Sequence, residues 1–310
     1  DIDLLNLRSD ESTSSLYKYL GENYGRDAQT AFLGYQAYII DPATSDIHNT
    51  DYVANVTGNA FNQHKTYRER GYNGVVNANF SGQYENNLYV GINLNAHIMD
   101  YKETKVFQEA PQDQDNSPVT YMAFVERLKT TGNGFSAQLG AIYRFDNGMR
   151  IGATYTSPQW LKIEEETQQA VESDYYDSNG HLTTAIINPH VVNIYESYTL
   201  RIPAKLGLSF AYVFGQAGLI SFEYDYTDNS NMVFKPRSYP YFGRQNDIMK
   251  DRLQASSSFK VGGEYNIDFV SFRAGYHFQQ TPYKDSNIMG DKKGYSVGLG
   301  LAFDDFKLDF

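Results

Sequence analysis

Long stretches of alternating apolar and polar residues are the feature that most constrains what this chain can fold into. In residues 88–101 (LYVGINLNAHIMDY), every second side chain from Leu88 to Ile98 is apolar, and the positions between them are mainly polar or small. Successive side chains of a β-strand point to opposite faces, so the pattern predicts a strand with one apolar and one polar face. Residues 74–84 repeat it, and the tight-turn sequence at 85–87 (ENN) joins the two strands into a predicted hairpin.

The same unit recurs along the chain and predicts five hairpins, or about ten strands. The short turns fall at residues 85–87, 146–148, 215–218, 266–268 and 304–305. The connections between hairpins are long and polar, at residues 103–132, 157–195, 228–252 and 280–293. Tight turns that alternate with long loops are typical of outer-membrane barrels, in which the turns are periplasmic and the loops extracellular. Tilted strands of about ten residues also match an apolar band of about 25 Å.

A soluble β-sandwich or β-barrel, with the apolar face turned into a core, is the alternative. The polar face, however, is rich in Gly, Ser, Asn, Thr and Gln, which suit a wet interior better than a surface in bulk water. The strands also exceed the usual soluble length of about five or six residues. Aromatic residues cluster at strand ends, as in the girdles at the two membrane interfaces. We therefore predict an all-β fold, a transmembrane antiparallel up-and-down β-barrel in a bacterial outer membrane.

Composition excludes several other classes of protein. The 310 residues include no cysteine, which excludes disulfide scaffolds, thiolate metal sites and cysteine nucleophiles. The net charge of −11 argues against a nucleic-acid partner, because binding to phosphates needs a basic surface. The mean hydropathy is −0.53, and no run of about 18 apolar residues indicates a helical membrane span.

The chain divides, by these patterns, into a region before the hairpins and the hairpins themselves. We expect residues 1–70 to form an extracellular loop and helix region, and residues 71–310 to form a single barrel domain. In the first region, residues 12–24 predict a short helix, residues 31–40 fit either an extra strand or a loop helix, and residues 41–70 indicate an irregular loop. The last predicted strand is too short to span a membrane, and the sequence starts at Asp1 without a signal peptide, so we expect a chain trimmed or incompletely represented at both ends.

Charged residues at the polar positions of the alternating pattern (the polar parity) are the main candidates for a function in the lumen. They are Arg150, Lys205, Glu223, Asp225, Lys260, Glu264, Arg273 and His277. They could line a polar path or hold a plug by ion pairs. Alternatively, they brace the barrel interior by pairing, for example Lys260 and Glu264 near Arg273.

The predicted loops also carry apolar residues among acidic ones. A candidate groove for a hydrophobic ligand comprises Trp160, Leu161, Phe107 and Phe124. Anchoring at the membrane interface is the equal alternative for Trp160, because tryptophan is enriched there.

No catalytic or metal-binding pattern stands out. The six histidines lack HxxxH or HExxH spacing, which disfavours a metal site. His97 and Ser81 share the lumen parity, which favours a structural histidine over a phospholipase-like pair. We therefore expect no enzyme activity, no metal and no cofactor.

Two hairpins carry a family resemblance. Residues 132–166 (GNGFSAQLGAIYRFDNGMRIGATYTSPQWLKIEEE) resemble the hairpin typical of the FadL-like long-chain fatty-acid transporters of the outer membrane, with Tyr155, Ser157 and Pro158 at the places of the Y-x-S-P motif. Residues 200–234 resemble a later hairpin of that family, in which a proline precedes the strand. The resemblance covers residues 71–310 and is strongest to the Bacteroidetes members. The N-terminal part of the family, with its Asn-Pro-Ala motif, has no match here.

The resemblance implies a fourteen-stranded monomeric barrel, of which this chain is a part, with a hatch that plugs the lumen. It implies passive uptake of hydrophobic small molecules such as long-chain fatty acids, although family members also carry aromatic hydrocarbons. A second hypothesis is a partner or shuttle subunit in a secretion or surface complex, since one branch of the family serves protein secretion. The expected partners are outer-membrane lipids or lipopolysaccharide, a hydrophobic ligand and, in the second case, other outer-membrane proteins.

Overall fold

A computed structural model of the chain describes residues 13–46, 50–113, 117–303 and 306–310. In chain order the elements are α1 (Thr13–Tyr24), α2 (Arg26–Gln36), β1 (Ile40–Pro42), β2 (Tyr52–Ala54), β3 (Phe61–Tyr84), β4 (Leu88–Pro111), β5 (Val119–Arg144), β6 (Met149–Thr156), β7 (Gln159–Tyr176), β8 (Leu182–Ile187), β9 (Asn193–Ile194), β10 (Tyr198–Ile202), β11 (Lys205–Val213), β12 (Gly218–Asp228), β13 (Val233–Lys235), α3 (Pro240–Arg252), β14 (Ala255–Ile267), β15 (Val270–Gln279), β16 (Lys292–Ala302) and β17 (Lys307–Asp309). A single 3-10 turn, Asn229–Asn231, lies between β12 and β13.

The main sheet is an up-and-down meander. Its strands follow the order β3-β4-β5-β6-β11-β12-β14-β15-β16-β17. Each strand therefore pairs with the one just before it in the chain, except where β7–β10 and β13 are bypassed. From β5 onward the pairs along this path are antiparallel. A branch leaves the meander at β5, which also pairs with β7, and β7 in turn pairs with β8, β9 and β10. The five predicted hairpins are therefore confirmed.

The turns follow from local backbone chemistry. Gly148 adopts a φ of +90°, and a Cβ at this position would collide with the backbone of Val213, so only glycine fits the turn between β5 and β6. Between β14 and β15 the turn consists of Asp268 and Phe269 and not of the predicted residues 266–268, since Ile267 still pairs with Val270 and Asp268 takes a φ of 50°. Aspartate is among the few residues that tolerate this left-handed conformation.

The chain separates into two compact units. The first contains the described residues up to Asn73 together with Met99–Thr131 and Glu164–Glu196; the second contains Gly74–Ile98, Gly132–Ile163 and Ser197–Phe310. The hairpins of the meander that were predicted from the sequence lie in the second unit. The predicted boundary at residues 70 and 71 falls inside the continuous strand β3.

The second unit has its apolar face outward. Val297 is 87% exposed and Leu208 is 57% exposed, although both belong to the apolar parity of their strands. On the opposite parity, Asp225 is only 8% exposed. A soluble β-protein would place the apolar parity in its core, so this arrangement is the one that a lipid-facing wall requires.

The first unit has a small core of its own, built by α1 and α2. Tyr17 and Leu20 of α1 pack with Phe32 and Leu33 of α2 and with Val171 of β7. The segment 31–40, for which a strand was one alternative, is helical as far as Gln36, and only Ile40 begins a strand. The strand alternative is wrong because the buried positions recur with helical spacing, at Ala28, Phe32 and Leu33, and not at every second residue.

Much of what the sequence predicts as loop is strand. Residues 61–70, 103–111 and 119–131 extend β3, β4 and β5 beyond the predicted hairpins, and the whole of β7 lies in the predicted loop 157–195. In β7, Thr167, Gln169, Val171 and Ser173 are buried at every second position. These buried residues are mostly polar, so the period of two is present in the structure but hidden in the hydropathy of the sequence. In the part of the chain that the structure describes, no helix is long and apolar enough to cross a bilayer.

Candidate functional site

The polar face of the second unit lines an open cavity of about 910 Å³, formed by β6, β11, β12, β14, β15 and β16. Six of the eight charged candidates line this cavity: Arg150, Glu223, Lys260, Glu264, Arg273 and His277. Small residues such as Gly152, Ser209 and Gly275 lie between them. Because these side chains are short, they leave the room that the long charged side chains occupy.

Lys260 is the centre of a first group of charges. Its Nζ lies 2.7 Å from Glu223 Oε1 and 3.5 Å from Asp225 Oδ2. Lys205 Nζ also contacts Asp225 Oδ2, at 2.9 Å. Two lysines and two carboxylates therefore form a neutral group across β11, β12 and β14. The register explains it, because Lys260 is directly opposite Glu223 and alternate residues share one face.

Arg273 is the centre of a second group. Its Nε donates a hydrogen bond to Glu264 Oε2 at 2.6 Å, and its Nη1 donates to Asp309 Oδ1. Glu264 and Arg273 are directly opposite on β14 and β15. The sequence-based example, Lys260 and Glu264 near Arg273, is correct for Glu264 only, because Lys260 is drawn to the acidic residues of β12. Asp309 was not among the candidates, since its strand was predicted only as a short end.

His277 and Arg150 line the cavity without an ion pair to any described residue. The imidazole of His277 lies over Gly294, its direct partner on β16, in the space that a side chain there would need. A Cβ on Gly294 would overlap the ring. The position of this histidine therefore depends on a glycine across the sheet.

A ladder of polar side chains crosses the same face at β3, β4 and β5. Asn79 Nδ2 donates to Asn93 Oδ1 at 2.6 Å, and Asn93 Nδ2 donates to Gln138 Oε1 at 3.1 Å. His97 Nε2 lies 2.8 Å from Ser136 Oγ, and both residues are buried. The partner of His97 is thus Ser136 and not Ser81. No acidic residue joins this pair in the described part of the chain, and the pair is a structural contact.

The four candidates for a ligand groove lie in different places. Phe107 and Phe124 belong to the first unit, where Phe124 packs against the helical core. Trp160 and Leu161 are consecutive residues of β7 in the second unit, so their side chains point to opposite faces. The side chain of Leu161 lies against Gly134, which is a position of the polar face. A single groove that contains all four residues stays a prediction.

Phe242 lies within an aromatic cluster that the sequence did not assign to a site. Its ring centroid is 5.2 Å from Tyr198, 5.6 Å from Phe234, 5.2 Å from Tyr239 and 5.8 Å from Tyr241. Four of these aromatic residues lie in the predicted loop 228–252 and Tyr198 lies outside it, and only the pairing of β10 with β13 brings Tyr198 and Phe234 together. Tyr239 and Tyr241 are more than half exposed, so the cluster presents aromatic surface to its surroundings.

Asn246 fixes this cluster to the sheet. Its Oδ1 accepts a hydrogen bond from the Phe234 amide at 2.7 Å, and its Nδ2 donates to the Phe234 carbonyl at 3.0 Å. The side chain thereby replaces a strand partner for β13 and attaches α3 to it. No residue of α3 is buried. Among the described residues, no group of three His, Asp or Glu side chains is arranged to hold a metal ion.

Comparison with solved structures gives weak overall likenesses. A Pseudomonas aeruginosa FadL homologue is 16% identical with a TM-score of 0.45; the match covers 79% of this chain and 58% of that chain, so this chain spans little more than half of its length. The CymD monoaromatic hydrocarbon channel is 12% identical, with a TM-score of 0.37 and 83% of each chain covered. The Pseudomonas putida toluene transporter TodX is 11% identical, with a TM-score of 0.35 and 81% and 82% covered. No curated protein matches the chain in sequence.

The family comparison is stronger. The model for the outer membrane protein transport proteins (OMPP1/FadL/TodX) matches residues 50–310, which include every hairpin of the meander. The chain therefore belongs to the OMPP1/FadL/TodX family, and its sheet is the wall of a transmembrane β-barrel in the bacterial outer membrane.

Proposed function

We propose that this protein is a channel for the uptake of hydrophobic small molecules, such as long-chain fatty acids, by passive diffusion through a plugged barrel. One observation carries the proposal: the wall separates an exposed apolar face from a polar face that lines a cavity of about 910 Å³. A wall of this kind crosses a membrane and keeps a wet interior at the same time. Neither a catalytic group nor a cofactor is part of the proposed process.

The aromatic cluster around Phe242 is the proposed place of first contact. Exposed aromatic rings bind apolar molecules through both area burial and ring stacking, each of which is modest alone. Tyr239 and Tyr241 offer such surface on a segment that Asn246 attaches to the sheet. A weak site suits a channel, because the ligand must leave it to move inward.

The paired charges of the lumen have a separate role in this proposal. Lys260 and Arg273 each already contact two carboxylates, and Lys205 contacts one. A ligand with an apolar chain gains little from such partners. We therefore assign the pairs to bracing neighbouring strands and keeping the interior hydrated, and not to holding the ligand.

Binding to the purified protein tests this proposal. The protein would be extracted from its own outer membrane without delipidation and examined by native mass spectrometry, followed by titration with a fluorescent long-chain fatty acid and with a monoaromatic hydrocarbon. We expect a co-purifying amphiphile and saturable binding of at least one probe. The Phe242→Ala variant should bind about tenfold more weakly. The matched control is Phe269→Ala, which removes a half-exposed ring at the turn between β14 and β15. A protein that neither retains nor binds any amphiphile contradicts the proposal.

A partner or shuttle subunit in a secretion or surface complex is the second candidate. The observation that favours it is α3, a helix of 13 residues with no buried side chain in a segment that the sheet already anchors. Such a helix offers a docking surface for another outer-membrane protein. Gentle extraction followed by size-exclusion chromatography separates the two candidates: a stable heteromeric complex favours docking, and a solitary barrel favours the channel.

A further inference from the structure

The apolar face of the second unit carries an open groove of about 660 Å³ across β5, β6, β11 and β12. Its floor is made by Ala141 and Ala153, which are direct partners on β5 and β6. The next pair of side chains on this face, toward the long connections, is Leu139 and Tyr155, and both project much farther from the sheet than the alanines. Leu208, the partner of Ala153 on β11, closes one side. The groove is therefore a consequence of two short side chains between rows of long ones.

Tyr224 leaves the groove open although it is large. Its hydroxyl lies 3.0 Å from Ser257 Oγ, and its ring centroid lies 5.1 Å from that of Phe259. Both contacts lie on β14, on the far side of β12 from the groove. The tyrosine ring thus leans away from the two alanines and does not cover them.

The groove leads to a second pocket of about 420 Å³, with which it shares Tyr155, Leu206 and Tyr226. Arg201 lines this pocket. Its Nη2 donates to the carbonyl of Asn231 at 3.1 Å, whereas its buried Nε has no hydrogen-bond partner and the guanidinium forms no ion pair among the described residues. This arginine consequently retains donors and a full charge for a ligand.

Asp228 lines the same pocket but is already satisfied. Its Oδ1 accepts from the amide and the hydroxyl of Ser230, at 3.1 and 2.6 Å, and its Oδ2 accepts from Asn231 Nδ2 at 2.8 Å. These bonds hold the 3-10 turn that follows β12. The free hydrogen-bonding capacity of the pocket therefore lies with Arg201, and it fits an anion.

The pocket lies at the height of lipid headgroups. From Met149 to Pro158, about ten residues with a rise of about 3.3 Å and a tilt of about 40° cover about 25 Å, the height of the apolar band. The tight turns of such barrels are periplasmic, so the pocket is at the outer interface. Trp160 supports this placement, since it is directly opposite Arg201 and tryptophan is enriched at membrane interfaces.

We propose that this face binds a phosphorylated lipid of the outer leaflet, with an acyl chain in the groove over Ala141 and Ala153 and a phosphate on Arg201. The occupant comes from the bilayer, because the groove opens on the face opposite the lumen cavity. The guanidinium matches a phosphate in geometry as well as in charge. The site is thus separate from the path of the transported molecule, and it anchors the barrel in the lipid around it.

Lipid titration followed by native mass spectrometry tests the site on the purified protein. The probes are diphosphorylated lipid A and the same lipid after removal of both phosphates. We expect the phosphorylated lipid to bind at least tenfold more tightly. Arg201→Gln should remove this preference, Arg201→Lys should retain part of it, and Arg244→Gln, a change of an exposed arginine on α3, should leave it intact.

The groove needs a second pair of variants. Ala153→Leu fills it and should weaken both lipids about tenfold, whereas Ala274→Leu, the same change on the same face of β15, should weaken neither. Equal affinity for the two lipids, or no effect of Arg201→Gln, overturns the phosphate site. Equal behaviour of Ala153→Leu and Ala274→Leu overturns the acyl-chain groove. Heat-shifted mobility on gels verifies that each variant is folded, and Arg201→Lys remains informative if Arg201→Gln fails to fold.

Discussion

Lys260 and Glu223 are direct partners on β14 and β12, and their charged atoms meet at 2.7 Å. Asp225, two residues along β12, brings Lys205 of β11 into the same group. The polar face therefore carries its charges in neutral groups that tie three strands together. Because three of these side chains are about half exposed, each separate pair contributes little, and the shared carboxylate of Asp225 matters most.

Removing the charge of Asp225 should destabilise the wall. Asp225→Asn leaves two lysines facing one glutamate around a position that is 8% exposed, and we expect a loss of about 1–3 kcal/mol in the free energy of unfolding. Urea unfolding in lipid vesicles, followed by the fluorescence of Trp160, the only tryptophan, measures it. The double variant Asp225→Asn with Lys205→Met restores neutrality and should recover part of the loss. A double variant as unstable as the sum of the single ones would show that the charge balance is unimportant.

The contact between His277 and Gly294 predicts a large effect of a single methyl group. Gly294→Ala would push the imidazole off the strand and should cost about 1–3 kcal/mol. Gly290→Ala is the control, because nothing lies within 4 Å of a Cβ there. Adding His277→Ala to Gly294→Ala should restore stability. If Gly294→Ala and Gly290→Ala unfold at the same urea concentration, the ring does not rest on this glycine.

Tyr17 should make the first unit sensitive to high pH. Burial raises the pKa of Tyr17 to about 12, from an ordinary 10.0, while its hydroxyl donates to Gln169 Oε1 at 2.8 Å. The unfolded state therefore ionises first, so the stability contributed by this group is complete below about pH 10 and is lost as the pH rises toward about 12. Local unfolding measured by protease sensitivity between these pH values should show the loss.

The control for this prediction compares two tyrosines of α1. Tyr17→Phe should weaken the pH dependence, and Tyr19→Phe, at an exposed position, should leave it unchanged. The same pH profile for Tyr17→Phe as for the unaltered protein would mean that another group is responsible.

The attachment of α3 should depend on Asn246. Asn246→Ala removes both hydrogen bonds to Phe234, and we expect trypsin to cleave at Arg244 or Lys250 at least several-fold faster. Gln245→Ala alters the neighbouring residue and should not change the rate. Unchanged cleavage of Asn246→Ala would show that the aromatic rings alone hold the helix.

The meander was predictable because three local signals agree. Alternation of apolar and polar residues, turn residues and spacing all identify hairpins such as β11 and β12. The strand pairing then places Glu223 and Lys260 together on the predicted polar face. Parity does not determine which charges meet, since that depends on the register between hairpins. For this reason the sequence placed Lys260 with Glu264, although it pairs with Glu223 and Asp225, and it missed Asp309 as a partner of Arg273.

The branch at β5 could not be predicted in the same way. In β7 the buried side chains Thr167, Gln169 and Ser173 are polar, so hydropathy does not reveal that they alternate with partly exposed ones. The aromatic cluster was unpredictable for a similar reason, because Tyr198 and Phe242 are far apart in the sequence and meet only through the pairing of β10 with β13. Non-local pairing of polar strands is the information that a single sequence conceals here.

The most direct test of the central claim is uptake by living cells. Bacteria that lack their own channel of this family would express the protein, and the entry of a labelled long-chain fatty acid and of labelled toluene would be measured with and without a proton ionophore. We predict saturable, protein-dependent uptake of at least one of them that the ionophore leaves unchanged. Uptake of both molecules no faster than in cells without the protein would contradict the account.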